Sequence, residues 1–340
     1  MRRRRTTGVI GIVVSFALCT ALPVGSAVAA EPEPLPNGFT AKVVARSGER
    51  ISGSIEASGY DLGIYVGPGV RNVEIVGAKV TGARDEGIMV QDTSAVVIRD
   101  TVVEGNAVEP HPGLEELKGI ALVGTEDVLL SNNVVQYNDH GGIGVYDDGP
   151  NSPFAPHAID ARPVPGEGNV IVDNLVKDNL NDCGIVLSAK NPGGGVAHNL
   201  IIRNEVVGYD PATGNTVPGV GGIIVAGGAF GPVSVTDNVI AHNIVTGGFI
   251  PGISLHAFGP GTIEDTGLIG NVLSSNGAGA VSEQTTGIEI FAVPGVGTIA
   301  GTQVLHQRIA NDHFGVFHLG DTETHLAALL TSDVTVPVFP

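Results

Sequence analysis

Residues Asn174 to Leu187 read NLVKDNLNDCGIVL. An asparagine precedes the apolar pair Leu175-Val176, and a second asparagine, Asn179, stands five residues after the first. Gly184-Ile185 then opens a run whose alternate residues, Ile185 and Leu187, are apolar, the period-two pattern of a strand with one buried face. Working outward, glycine followed by a β-branched residue recurs at Gly63, Gly87, Gly119, Gly142, Gly184, Gly222, Gly252, Gly287 and Gly315. The spacings are 24, 32, 23, 42, 38, 30, 35 and 28 residues. A minimum near 23 with variable additions is what one supersecondary unit with loop insertions produces.

Each unit carries further apolar runs after the glycine strand. Val96–Ile98, Val128–Leu130 and Val233–Val235 form a second run; Val102-Val103, Val134-Val135, Val239-Ile240 and Val272-Leu273 form a third. Asn133, Asn174, Asn238 and Asn271 each have another asparagine five residues on, at Asn138, Asn179, Asn243 and Asn276. Asparagine suits sharp corners, and stacked at one position its amides form ladders between rungs. No segment of ten or more residues keeps a helical period without a Gly, Pro or Asn break. The repeats resemble the right-handed parallel β-helix family over about Leu62 to Phe317. The fold expected is all-β: a three-sheet, right-handed parallel β-helix of about nine to ten rungs. Residues 31–60 are read as N-terminal cap and first rung, 61–319 as the solenoid, and 320–340 as the closing rung.

The first thirty residues read as an export signal. Arg2 to Arg5 form a basic segment, Gly8 to Leu18 an apolar one, and Ala27-Val28-Ala29 a cleavage site. Leu18 before Cys19 argues against a lipoprotein. After cleavage thirteen Lys and Arg stand against thirty-five Asp and Glu, a net charge of −22. Only Arg308 is basic after Arg203, which argues against nucleic acid as a partner. No later apolar run is long enough to span a bilayer, so a secreted, extracellular or periplasmic product is expected. Cys183 is then the only cysteine, and packing alone must hold the fold.

Insertions concentrate at 107–117, 149–168 and 208–220, over rungs two to five counted from the Gly63 unit. The residues just before each glycine strand are ionisable in the same rungs: Asp85-Glu86, Leu117-Lys118, His140-Gly141 and Asp182-Cys183. On the exit side stand Gln91-Asp92, Tyr146-Asp147-Asp148 and Lys190, with Ala121, Gly144 and Ser188 as small outward residues between. This pattern predicts a groove with His140 or Lys118 as general base and Tyr146 as acid. Asp85, Glu86, Asp182, Lys190, His111 and Arg162 are candidate substrate contacts. Asp92, Asp147 and Asp148 form a candidate Ca²⁺ site. The resemblance implies a polysaccharide or oligosaccharide partner, because β-helix lyases and uronan epimerases combine a charge neutraliser, a base at C5 and an acid. The activity expected is therefore a lyase or epimerase, with hydrolysis less favoured; the alternative is a non-catalytic glycan- or surface-polymer-binding module. The polygalacturonase motif set is missing, and Glu109-Pro110-His111-Pro112 matches the Asp-Pro-His-Asp of mannuronan epimerases only in its centre.

Blander readings compete at several positions. Asn-Asp-His recurs at Asn311-Asp312-His313, which makes Asn138-Asp139 a turn. Cys183 reads as a small buried filler. His198, His242, His256, His306 and His318 lack metal-ligand spacing and read as surface or turn residues.

Overall fold

The computed structural model describes residue 35 and residues 39–108, 117–150, 163–208, 221–228, 231–277, 286–320 and 322–339. Among the described residues eleven strands form one long sheet. They are β1 (Ala41–Val44), β2 (Leu62–Val66), β3 (Glu86–Gln91), β4 (Lys118–Val123), β5 (Gly141–Tyr146) and β6 (Ile185–Ala189). β7 (Ile223–Gly227), β8 (Ile253–Ala257), β9 (Thr286–Ala292), β10 (Phe314–Leu319) and β11 (Val336–Phe339) complete it. Each pairs in parallel with the next in chain order, so every strand begins a new rung. Ile64, Ile88, Ile120, Ile143, Ile185, Ile223, Ile253, Ile288 and Val316 fall in one column. All nine are fully buried, so the glycine repeat and the core register are the same thing.

Among the described residues a second sheet of 22 strands, most of them three residues long, forms the other sides. Between β6 and β7 it contributes Gly195–Ala197, Leu200–Ile202 and Glu205–Val207. Such a rung has four strands, one more than the sequence pattern separates. The reason is a five-residue unit: a three-residue strand, one left-handed residue and one inward asparagine. Asp173, His198, Arg203, Asp237 and His242 take φ of 53–57° immediately before Asn174, Asn199, Asn204, Asn238 and Asn243. The left-handed corner therefore belongs to the residue before the asparagine. Because the unit repeats at successive corners, an offset of five cannot tell one corner from the next. Asn133 and Asn138 lie on different corners from Asn238 and their sequence counterparts shift by one side.

The inward asparagines stack. The Asn133 amide N–H donates to Asn174 Oδ1 at 2.9 Å, Asn174 to Asn204 at 3.0 Å, Asn204 to Asn243 at 2.8 Å and Asn243 to Asn271 at 2.9 Å. Gln307 Oε1 closes this row at 3.1 Å from the Asn271 N–H. Each side chain thus satisfies a corner amide that the turn buries, an unmet group otherwise costing about 1–3 kcal/mol. The two Asn-Asp-His triplets are not equivalent. Asn138 occupies the ladder, whereas in the second triplet Asn311 takes the left-handed corner (φ 59°) and Asp312 the ladder, accepting from the Asn276 N–H at 2.6 Å. His140 and His313 nonetheless keep the same offset from the buried column, three residues before Ile143 and Val316.

Candidate functional site

Alternation along the long sheet sends one residue in two outward. One outward row runs Tyr146, Ser188, Ala226, His256, Phe291; the row beside it runs Gly144, Val186, Ile224, Ser254, Glu289. Over these rows lies a cleft of about 300 Å³. Val186, Ile224 and Ala226 give it an apolar floor, with Ile250, Pro251 and Phe258 as walls. At one end His256 Nε2 meets Glu289 Oε2 at 2.5 Å, and Ser254 Oγ donates to the same oxygen at 3.0 Å. Phe258 and Phe291 stand edge-on to the imidazole, with ring centroids 4.8 and 5.5 Å away. With Nε2 engaged by Glu289, Nδ1 is the ring nitrogen left to a substrate. The histidine side chain is 22% exposed and the glutamate 12%, so the pair is held yet reachable.

The other end is built on an ion pair. Lys118 is fully buried; its Nζ donates to Asp182 and, at 3.2 Å, to the Leu117 carbonyl. To reach Asp182 it crosses the rung between at Gly141, where a methyl group would lie 2.6 Å from Lys118 Cδ. Burial pushes the Asp182 carboxyl up, but the Lys118 charge and hydrogen bond, with the Cys183 amide at 2.6 Å, outweigh it and hold its pKa below the ordinary value. Tyr146 is buried and folds its ring back over Gly144, with Lys190 Nζ 6.0 Å from the ring centroid. Cys183 is half-buried and lines this end.

The sequence-predicted residues divide among several places. Lys118, Tyr146, Asp182 and Lys190 line the cleft. His140 does not: it is half-buried, and its Nδ1 is enclosed without a hydrogen-bond partner. Tyr146 and His256 are three rungs apart in register, about 14 Å at the strand spacing, so they address different atoms of any ligand. Of the expected trio, Lys118 and Tyr146 line the cleft and His140 does not. Asp85 and Glu86 are buried at the edge of β3, outside the cleft; burial first, then the Asp85 charge, push the Glu86 carboxyl well above its ordinary range. His111 and Arg162 lie outside the described residues.

The three aspartates assigned to calcium serve two different places. Asp147 accepts the Lys190 N–H at 2.8 Å and the Asn191 N–H at 3.0 Å, tying the end of β5 to the turn after β6. Burial raises its pKa to about 6 against those bonds. Asp148 accepts from Gln91 Nε2 and from the Gly149 N–H, both at 2.8 Å, and Gln91 in turn accepts the Tyr65 hydroxyl at 2.9 Å. Asp92 faces Asp148; burial, then that neighbouring charge, raise its pKa to about 7. Among the described residues no three His, Cys, Asp or Glu side chains group as metal ligands. Asp92 and Asp148 face one another while Asp147 is taken up by the turn after β6, so the three aspartates do not form one ligand set.

His256 and Glu289 are the residues that sequence reasoning passes over. The signal was available: the alternation that sends Ile253 and Leu255 inward turns Ser254 and His256 outward, and Ile288 and Ile290 do the same for Glu289. His198, His242 and His306 do take left-handed corners, as turn residues should.

A family model for the right handed beta helix region matches residues 40–155. No curated protein sequence matches the chain. Among solved structures, the A-module of the mannuronan C-5 epimerase AlgE4 from Azotobacter vinelandii aligns at TM-score 0.60 and 15% identity, over 89% of this chain and 84% of that one. The family 28 exopolygalacturonase of Yersinia enterocolitica aligns at TM-score 0.51 and 15% identity, over 81% of this chain and 47% of that one. PfbA, a surface adhesin of Streptococcus pneumoniae, aligns at TM-score 0.50 and 9% identity, over 88% and 84%. Parallel register in every rung and these likenesses define the class. The chain is a right-handed parallel β-helix protein, and at these identities the likeness is one of fold.

Proposed function

We propose that this protein is an exported carbohydrate-active β-helix whose cleft over β5 to β9 takes a sugar chain and works on it by proton transfer, as a lyase or epimerase does. The observation that carries the reading is the His256–Glu289 pair on the outward face of the long sheet. A histidine whose one ring nitrogen is held by a carboxylate can act as general base through the other, and a proton taken at Nδ1 can be returned from the same atom. The apolar floor suits the faces of sugar rings, and the cleft's length of four strand spacings, roughly 19 Å, suits a short oligosaccharide. Lys190 lines the cleft at the Tyr146 end, where it could meet an acidic sugar unit other than the one at His256. An epimerase, an exopolygalacturonase and an adhesin among the structural neighbours support a sugar or surface-polymer ligand by analogy of fold.

The test is a panel of uronic and neutral glycans assayed for unsaturated product by ultraviolet absorbance, for epimerised product by NMR and for reducing ends, with and without EDTA. His256→Asn and Glu289→Gln should each lower kcat by about 10²–10⁴ while glycan binding persists. Wild-type binding without turnover would favour the second reading, a glycan-binding module. The separation of Tyr146 and Lys118 from His256 is what favours that alternative.

A further inference from the structure

We infer that a notch on the corner leading into β3, β4 and β5 is a second binding site, built to take one unit of a neutral sugar. The residue that points to it is Tyr137. It takes a left-handed corner with φ 54°, a conformation unfavourable for a bulky side chain. Every other non-glycine residue in that conformation among the described residues is Asp, Asn, His, Ala, Ser or Arg. Burial does not offset the strain, because Tyr137 is 49% exposed. A strained residue that packing does not require points to function. The corners before it in the same column are Gly105 and Gly82, at φ 63° and 78°. The Gly105 N–H donates to the Tyr137 carbonyl at 3.2 Å, and the Gly82 N–H to the Gly105 carbonyl at 3.1 Å. A methyl group at Gly105 would meet nothing within 4 Å. The result is an open notch of about 460 Å³ lined by Thr81, Gly82, Glu104, Gly105 and Tyr137. None of the five lines the cleft over β5 to β9.

The lining holds the two kinds of group that recognise a sugar. The tyrosine ring offers an apolar surface to the C–H face of a pyranose, and the two glycines bring no side chain into the space. Lys177, from the rung after Tyr137, has its Nζ 5.8 Å from the ring centroid. Glu104 supplies the polar contact. Lys79 Nζ lies 2.8 Å from its Oε1, and Gln136 Nε2 donates to its Oε2 at 2.7 Å. Those bonds, Lys79 first, hold the Glu104 carboxyl below its ordinary pKa, so it is a charged acceptor. A carboxylate has about four acceptor positions, so each oxygen keeps one free for a hydroxyl. Adjacent hydroxyls of a sugar ring form such a pair of donors. Thr81 stands beside Glu104 in register, and Glu56 Oε1 approaches Gly82 within 2.8 Å of where a methyl group would lie. With two carboxylates at the notch and Lys79 already paired, an acidic sugar is disfavoured. A proline-rich peptide can also lie on a tyrosine ring, but proline brings no N–H for Glu104. The inference does not depend on the chemistry proposed for the cleft.

Amide NMR of the purified protein tests this by following the Gly82 and Gly105 N–H groups. Methyl β-glucoside, methyl α-mannoside or cellobiose is added up to about 50 mM, the range that suits so few contacts. The expected result is a saturable shift of both amides with at least one of these sugars, and at least about tenfold weaker binding of glucuronic acid. Tyr137→Asn should weaken the sugar at least about tenfold with the melting temperature unchanged or raised, because asparagine accepts a left-handed corner. Glu104→Gln should weaken it likewise. His256→Asn, in the cleft, should leave these shifts unaltered, so failure of the notch and failure of the cleft are told apart. No shift with any of the neutral sugars overturns the proposal, as does glucuronic acid binding equally well. So do undiminished shifts in Tyr137→Asn or Glu104→Gln, or their loss in His256→Asn. A melting temperature lowered by more than about 2 °C in Tyr137→Asn would make the tyrosine a packing residue and overturn it too. A proline-rich peptide that moves both amides where the sugars do not has the same force.

Discussion

Lys118 shows how a residue's neighbours decide what it can do. Read along the chain it is a candidate base beside a groove; in the fold its ammonium is enclosed and committed to Asp182. A pair of this kind contributes little net stability but is costly to break, because one charge is left buried alone. Asp182→Asn should therefore cost about 3 kcal/mol at pH 7, measured by urea unfolding. The Asp182 carboxyl is held below its ordinary pKa, so its contribution is present above the unfolded value of 3.8 and is lost as pH falls through the folded one. The difference between wild type and variant should shrink below pH 4 (3.8 being the unfolded value). An undiminished difference at pH 3 would show that the asparagine disturbs packing and not charge. His140 could not have been separated from His256 by residue type; only the outward alternation on β8 distinguishes them.

At the scale of the element, the five-residue corner unit is the protein's main device. Its strand centres bury Val, Ile or Leu, its corner takes positive φ, and its asparagine bonds to the rung before. Asp312 breaks the pattern in the row that Asn276 feeds. One oxygen receives the Asn276 amide and the other, Oδ2, is buried without a partner. Burial raises its pKa to about 7 against those bonds. The folded protein thus keeps this proton up to about pH 7, while the unfolded chain releases it near 3.8, so stability from this group falls as pH rises across that window. Asp312→Asn removes the loss. Its melting temperature should match wild type near pH 4 and exceed it by roughly 2 °C or more at pH 8. Equal melting at both pH values would place the carboxyl in water.

The whole molecule is quasi-one-dimensional: each rung touches its two neighbours, and stability is close to a sum of such contacts. Terminal rungs have one neighbour only. Leu330–Ser332 pairs only with Arg308–Ala310 among the described strands, and all three of its side chains are exposed. Its amides should exchange with deuterium at least about a hundredfold faster than those of Leu200–Ile202, which pair on both sides. Uniform exchange along the solenoid would show cooperative unfolding instead.

The sequence by itself determined the parallel solenoid and the register and core of its long sheet, but not the fourth strand of each rung or which asparagine stacks on which corner. The solenoid, register and core follow from local rules repeated many times: alternation on each strand, glycine at the tight entry, asparagine at the corner. It also marked Lys118, Tyr146, Asp182 and Lys190 as neighbours of one groove, because equivalent rung positions must stack. Only the tertiary structure decided which end of that groove holds the oriented histidine, and that Asp147 ties a turn while Asp148 faces Asp92. The physical reason is that stacking fixes where a backbone runs, whereas a long side chain chooses its partner from every rung within reach. Lys118 bridges two rungs to Asp182, and His256 takes its carboxylate from the next strand; neither choice is written in the spacing of the repeats.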